Sequence, residues 1–177
     1  MTDIINTWIE LAKRGDREAF ERLLEEHYEM ILRVAWRFCG NKEEAEDIAQ
    51  DVCIALADKI HRFDGNSRFS SWLYRVVINT CKDRFKSRTA RKQRERNFGE
   101  IEQHLREEQS EMKGQLAWVY EQIATMESKL RDTALLVLAE GLSHQEVGDI
   151  LECEESTISW RMYEIRKLLK DAWGGTT

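Results

Sequence analysis

Apolar side chains in the first part of the chain recur every three or four residues, which is the spacing of an amphipathic α-helix. The pattern predicts one helix from Thr2 to about Lys13 and a longer one from about Arg17 to Cys39. Gly15 ends the first helix, and Asp16 caps the second, since an aspartate side chain accepts hydrogen bonds from the free N–H groups at a helix start. The chain therefore begins as two helices joined by a short turn.

Asn41 and Glu44 have the spacing of a capping box and predict the start of a third helix. One face of this helix is apolar, and the other carries acidic and amide side chains. A polar loop at Asp64–Ser67 follows, and a fourth helix is predicted to begin near Ser70 or Ser71. Its buried positions are expected to be Leu73, Val76, Val77 and Cys81.

The second half has the same helical spacing, divided by turn signals. Ser143 and Glu146 form another capping box, which opens a short helix after Gly141. A tight turn at Cys153–Ser156 leads to a last helix, and two helices joined in this way are typical of a helix-turn-helix that binds DNA. The predicted core positions are Leu116, Val119, Ile123, Met126, Leu135, Leu136, Leu138, Ala139, Val147, Ile150, Leu151, Ile158, Met162, Ile165, Leu168 and Leu169.

Composition favours an all-α fold of two small domains. The chain has no proline and nine glycines, which leaves few signals for strand turns. Its 177 residues can bury one or two modest cores. We predict a four-helix domain at residues 1–92, a charged linker at 93–112 and a helix-turn-helix domain at 113–177. The linker is either mobile or a solvated helix.

The charge is unevenly distributed along the chain. Between Lys82 and Arg96 eight basic residues outnumber two acidic ones, a local balance of +6 in a chain whose formal net charge is −6. Net charge therefore does not exclude nucleic acid as a partner. The loop at Asp64–Ser67 precedes this stretch, with aromatic residues at Phe63, Phe69 and Trp72. An unpaired base would find both hydrogen-bonding groups and ring faces there.

The last helix has a polar face with side chains that reach phosphates and base edges. These residues are Thr157, Ser159, Trp160, Arg161, Tyr163, Arg166, Lys167 and Lys170, with Glu164 as an acidic interruption. The solvated side of any amphipathic helix would explain the charge equally well. The capped helix-turn-helix in front of this face favours DNA binding.

No residue pattern indicates catalysis, a metal site or a cofactor. The four histidines form no HExxH-like set, and the four cysteines lack CxxC spacing, so free thiols are expected. The N-terminus lacks the features of a signal peptide, and no apolar run reaches membrane-spanning length. We therefore expect a soluble cytoplasmic protein that is not an enzyme and does not insert into a membrane.

Four segments, in this order, resemble the extracytoplasmic-function sigma factors, the smallest type of the bacterial sigma-70 family. They are GDREAFERLLEEHYEMI, EEAEDIAQDV, RFDGNSRFSSWLYRVVINTCKDRF and LAEGLSHQEVGDILECEESTISWRM. Such proteins supply promoter recognition to bacterial RNA polymerase. The resemblance covers nearly the whole chain and implies that residues 1–92 are sigma region 2 and residues 113–177 are sigma region 4.

The resemblance also implies a partner for each surface. Asp47, Gln50 and Asp51 would bind the clamp helices of core RNA polymerase, whose flap is a further contact, and an anti-sigma factor would hold the protein inactive. Capture of a flipped base from the melted −10 strand would use Arg62, Asp64, Gly65, Asn66, Ser67, Phe69, Trp72, Asn79, Lys82 and Lys86. Reading of the −35 duplex would use Ser156, Thr157, Ser159, Trp160, Arg161, Tyr163, Arg166 and Lys167.

Departures from the family affect the −35 preference. Met126-Glu127 replaces the usual leucine-proline, Glu164 lies where a basic residue is common, and residues 156–161 differ from the usual glycine-threonine-valine-basic-serine-arginine. A stand-alone helix-turn-helix regulator is the alternative, but it leaves the loop and the third helix without a role. A helical interaction adaptor explains the net negative charge but not the basic stretch.

Overall fold

The computed structural model describes the backbone of residues 2–88 and 112–174 and the side chains of residues 4–85 and 114–174. These residues form helices and turns with no strand among them, which confirms the predicted all-α fold. The chain divides into two compact units, Met1–Arg91 and Lys92–Thr177. The predicted linker at 93–112 lies outside the described residues except for Met112.

The described part of unit 1, residues 2–88, contains four helices whose starts and ends are set by local capping. They are α1 (Thr2–Lys13), α2 (Arg17–Cys39), α3 (Lys42–Lys59) and α4 (Phe69–Arg88), with a 3₁₀ turn at Ile60–Arg62 before the loop. The Asp16 side chain accepts from the N–H of Ala19, and the Asn41 side chain accepts from the N–H of Glu44. Both predicted caps are therefore confirmed.

The core of unit 1 forms around α2, which packs against α1, α3 and α4. Leu23, Ile31, Ile48, Leu56 and Leu73 are completely buried in it. Burying each such side chain stabilises the fold by about 1.5–3 kcal/mol relative to leaving it exposed. This packing holds the polar face of α3 and the loop before α4 on the outside of the unit.

Unit 2 contains α5 (Met112–Thr125), α6 (Ser128–Ala134), α7 (His144–Leu151) and α8 (Glu155–Gly174). A π-helical turn at Leu135–Ala139 continues α6. The break between α5 and α6 and the π turn were not predicted. The core positions Ile123, Leu136, Ile158, Met162 and Ile165 are buried as predicted.

Three predicted core positions in unit 2 are wrong. Leu116, Leu138 and Leu168 are 46%, 49% and 44% exposed. The π turn inserts an extra residue per turn, which rotates Leu138 away from the apolar stripe. Leu168 lies about 80° around α8 from Ile158, on the flank of the stripe. Leu116 lies on the same face of α5 as Ile123 but two helical turns before it, near the start of the helix.

Candidate nucleic-acid interface

The loop between the 3₁₀ turn and α4 is shaped by hydrogen bonds within itself. The backbone N–H of Asn66 donates to Asp64 Oδ1 at 3.0 Å, and Asn66 Nδ2 donates to Asp64 Oδ2 at 2.8 Å. Gly65, between them, has a φ of 77°, a left-handed conformation that costs other residues about 1–2 kcal/mol. All three residues are exposed, so the polar groups of the loop are open to a ligand.

These two hydrogen bonds also lower the pKa of the Asp64 carboxyl. The backbone N–H of Asn66 contributes most and its side-chain amide comes next, because each stabilises the charged form, while Arg75 adds a weaker attraction. Asp64 is therefore ionised at neutral pH. A carboxylate can only accept hydrogen bonds, so every group that bonds Asp64 must be a donor.

Aromatic rings pack against one another beneath the loop. The centroids of Phe63 and Phe69 lie 5.4 Å apart, and Trp72 lies 5.5 Å from Phe63 and 5.6 Å from Phe69. His27, from α2, contacts Phe69 edge-on at 5.2 Å. Phe63 and Phe69 are only 7% and 6% exposed, so the expectation that they offer open ring faces is wrong. Trp72 is half-buried, so part of its ring remains accessible.

A row of side chains along one face of α4, the stripe from Trp72 to Lys82, continues from the loop. Arg75 Nη2 donates to Ser67 Oγ at 3.2 Å and so ties the end of the loop to the helix. Asn79 is exposed and Lys82 is half-buried; their spacing from Trp72 places them on the same face as Arg75. The stripe from Trp72 to Lys82 is about 15 Å long. The side chain of Lys86 lies outside the described residues, and Arg62 is exposed before the loop.

Arg84, which the sequence pattern did not predict as a site residue, forms ion pairs with the polar face of α3. Arg84 Nη2 donates to Asp47 Oδ2 at 3.0 Å, and Arg84 Nη1 lies 3.1 Å from Asp51 Oδ2. Gln50 is exposed beside them, and Ile54, one turn further along, is 69% exposed. The face therefore combines two partly neutralised carboxylates, an amide and an uncovered aliphatic side chain, a combination that suits a protein partner with basic and apolar groups.

The helix-turn-helix in unit 2 has the predicted capping and a very close turn. The Ser143 side chain accepts from the N–H of Glu146, and the Glu146 carboxylate accepts from the N–H of Ser143, which confirms the capping box. A Cβ at Gly148 would lie 2.7 Å from the carbonyl oxygen of Cys153, so only glycine lets the turn pass this near to α7. Glu152 supplies the left-handed residue of the turn, with a φ of 54°.

The outward face of α8 carries two large aromatic side chains. Trp160 and Tyr163 are 61% and 63% exposed. The predicted residues that are also exposed on α8 are Ser156, Ser159, Arg166, Lys167 and Lys170. The Ser159 hydroxyl lies 2.9 Å from Nδ1 of His144, which joins the start of α7 to this face.

Arg161 differs from its neighbours on α8. Its side chain is half-buried, and its Nη1 donates to Thr133 Oγ1 of α6 at 3.4 Å. Thr157 is half-buried as well. Arg161 is therefore less open than the sequence pattern predicted, and its Nη1 contacts a residue of its own unit.

Within the described ranges, no three or more His, Cys, Asp or Glu side chains are grouped so that they could hold a metal ion. The cysteines are free thiols, as predicted. Of the helices that the structure describes, none has the length and apolar character to cross a membrane.

Sequence comparison finds relatives along both units. A family profile described as Sigma-70 region 2 matches residues 23–91. The RNA polymerase sigma-H factor of Pseudomonas aeruginosa is 29% identical over 93% of this chain and 91% of its own length. The ECF RNA polymerase sigma factor SigW of Bacillus subtilis is 28% identical over 96% and 97%. The similarity therefore includes the loop, α3 and the helix-turn-helix together.

Solved structures share the fold. CnrH, in complex with the cytosolic domain of CnrY, matches with a TM-score of 0.70 at 20% identity and covers 100% of both chains. The sigma factor RpoE of Bartonella quintana, in complex with the anti-sigma factor NepR, matches with a TM-score of 0.61 at 18% identity over 86% of this chain and 94% of that one. At these identities the matches establish the fold and leave the roles of individual residues to physical argument.

Proposed function

We propose that this chain recognises promoters with the two surfaces described above. It belongs to the extracytoplasmic-function sigma factors of the sigma-70 family and is an alternative RNA polymerase sigma factor. Unit 1, as sigma region 2, captures melted −10 DNA, and unit 2, as sigma region 4, reads the −35 duplex. The observation that carries the proposal is the exposed, internally bonded loop at Asp64–Asn66 above a packed aromatic cluster. A stand-alone repressor would have no use for such a loop.

The loop supplies polar contacts to a flipped base, while the aromatic cluster supports it. Asp64 and Asn66 are exposed, and Trp72 offers the partly open ring on which a base can stack, worth about 1–3 kcal/mol. Phe69 packs against Trp72 and so supports its ring, and it does not contact DNA itself. Arg62 contacts the strand before the loop, and Asn79, Lys82 and Lys86 follow it along α4, with Gly65 and Ser67 shaping the loop.

The face of α3 with Asp47, Gln50 and Asp51 is the proposed contact with the clamp helices of core polymerase. Arg84 holds both carboxylates in place, so this face is ordered before the partner arrives. Ile54, 69% exposed, is a further contact that we add to the predicted set, because an uncovered aliphatic side chain among polar neighbours is typical of an interface centre.

The outward face of α8 is proposed to enter the major groove. Ser159, Trp160 and Tyr163 lie at its centre, with Arg166 and Lys167 towards the phosphates. Large apolar side chains read thymine through its methyl group. Arg161 is proposed to position α8 through Thr133 and not to form a bidentate contact with guanine.

Energy explains why the protein depends on polymerase. Opening about ten base-pair steps at about 1.4 kcal/mol each costs on the order of 14 kcal/mol. Stacking one or two bases returns only about 1–3 kcal/mol per base. The isolated chain therefore cannot keep a promoter open.

Permanganate footprinting, which detects unstacked thymines, tests this dependence. We expect open promoter DNA with core polymerase and the chain together, and none with either alone. Promoter opening by the purified chain without polymerase would overturn the proposal. Competition with a second sigma factor for core polymerase provides the control, because a conventional repressor would not compete.

Regulation by a protein inhibitor is also part of the proposal. RpoE of Bartonella quintana was solved with the anti-sigma factor NepR. We propose that an anti-sigma factor covers the α3 face of this chain in the bacterial cytoplasm, where the polymerase acts. Co-purification of an inhibitor with this chain from native cells tests the proposed regulation, and repeated isolation of the free chain would contradict it. We propose no enzymatic activity for this chain.

A further inference from the structure

The hydrogen bonds of the loop at Asp64–Ser67 fix which end of the Asn66 amide is bonded to Asp64. Asn66 Nδ2 lies 2.8 Å from Asp64 Oδ2. An asparagine amide presents a donor at one end and an acceptor at the other, and only the donor end can bond a carboxylate. Asn66 Oδ1 is therefore the end of the amide directed away from Asp64.

A second contact opposes rearrangement of this pair. The backbone N–H of Asn66 donates to the other oxygen of Asp64, Oδ1, at 3.0 Å, so both carboxylate oxygens are engaged by one residue. The lowered pKa of Asp64 keeps it in the ionised, acceptor-only form at neutral pH. Turning the Asn66 amide over would place its oxygen against a charged carboxylate and lose a charge-assisted hydrogen bond.

We propose that Asp64 is a positioning residue that sets the base preference of the loop: it orients Asn66 so that Oδ1 accepts from an exocyclic amine, which favours cytosine or adenine over thymine or guanine at the captured position. The proposal rests on the capture of a flipped base by this loop. Cytosine N4 and adenine N6 are donors, whereas thymine O4 and guanine O6 are acceptors at the equivalent place. A carbonyl there would face Oδ1, acceptor against acceptor.

The chemistry of the substitution Asp64→Asn makes the inference testable. The new side chain keeps an oxygen for the N–H of Asn66, so the turn is retained. Its second polar group is a donor, which requires the Asn66 amide to turn over and present Nδ2 to the base. Asp64→Asn is therefore expected to invert the preference, and Asp64→Ala, which leaves the amide unrestrained, is expected to flatten it.

The experiment uses holoenzyme reconstituted from core polymerase and the full chain. Fork templates with a single-stranded −10 segment are varied among the four bases at each non-template position in turn, and equilibrium binding is measured. For the unsubstituted chain we expect one position at which cytosine and adenine bind about tenfold more tightly than thymine and guanine. With Asp64→Asn the order at that position should reverse. The matched control is Asp149→Asn, an exposed carboxylate of unit 2, which should keep the original order.

The outcomes separate this inference from the proposed function. If binding of the unsubstituted holoenzyme depends on no base in the segment, base capture itself is refuted, and the inference with it. If one position is selective but prefers a keto base, or keeps its order in Asp64→Asn, base capture stands and the role of Asp64 is refuted. A general rise in affinity caused by the lost negative charge affects all four bases alike and leaves their order unchanged.

Discussion

The two proposed DNA-reading surfaces achieve order by different means. The loop of unit 1 is exposed and is shaped by hydrogen bonds between neighbours, chiefly Asp64 with Asn66. The α8 surface of unit 2 is shaped from behind, by the buried side chains of Ile158, Met162 and Ile165. A helix held by a core suits a regular duplex, whereas a loop held by its own polar groups can receive a single unpaired base. Substitutions should therefore affect the two surfaces through different properties, packing in one and hydrogen-bond direction in the other.

The largest expected effect comes from the core behind α8. Ile158→Ala should destabilise unit 2 by about 2–5 kcal/mol, because Ile158 is completely buried and leaves a cavity. Hydrogen exchange should show faster opening of unit 2 and no change in unit 1. Leu168→Ala on the same helix is the control and should change stability by less than about 0.5 kcal/mol, since Leu168 is exposed. An equal loss in the two variants would contradict the different burial of these residues.

A smaller effect, confined to duplex binding, is expected for Trp160→Ala. Trp160 is 61% exposed at the centre of the outward face, and its loss should weaken −35 duplex binding by about 1–3 kcal/mol. Electrophoretic shifts on duplex and fork templates would measure this, with polymerase binding unchanged. Arg161→Ala is the companion variant, and its loss should be similar on all duplex sequences because Arg161 bonds Thr133. A sequence-dependent loss for Arg161→Ala would show that it reads a base after all.

The smallest expected effect concerns the backbone of the loop. Gly65→Ala should cost about 1–2 kcal/mol or less, because alanine is strained at a φ of 77° although no atom obstructs its Cβ. Gly114→Ala in α5 is the matched control, since its Cβ is also unobstructed and alanine favours a helix by about 0.5–1 kcal/mol. Hydrogen exchange should show opposite signs in the two variants. The same sign in both would contradict the conformation described for Gly65.

Features set by neighbouring residues could be predicted from the sequence. Asp16, Asn41 and Ser143 cap helices because each acts on N–H groups two or three residues away. The helix-turn-helix was predictable for the same reason. The resemblance to sigma factors also came from the order of local segments.

Features that depend on distant residues could not be predicted in this way. The pairing of Arg84 with Asp47 joins residues 37 positions apart, and the contact of His27 with Phe69 joins two helices. Phe63 and Phe69 were expected to offer ring faces because an aromatic residue near a polar loop fits both a binding surface and a core. Only the packing of α2 against α4 decides between these roles.

The ion pairs of Arg84 have a consequence for protein engineering. Because α3 is the proposed contact with core polymerase, exchanging α3 between relatives is an obvious way to transfer polymerase preference from one sigma factor to another. Here such a graft would separate Asp47 and Asp51 from the guanidinium that holds them, because Arg84 belongs to α4. Since the same α4 anchors the proposed DNA-binding loop through Arg75 and Ser67, the smallest transferable piece extends from Lys42 to Arg84, and a chimera cut inside it would mix the specificities of both parents.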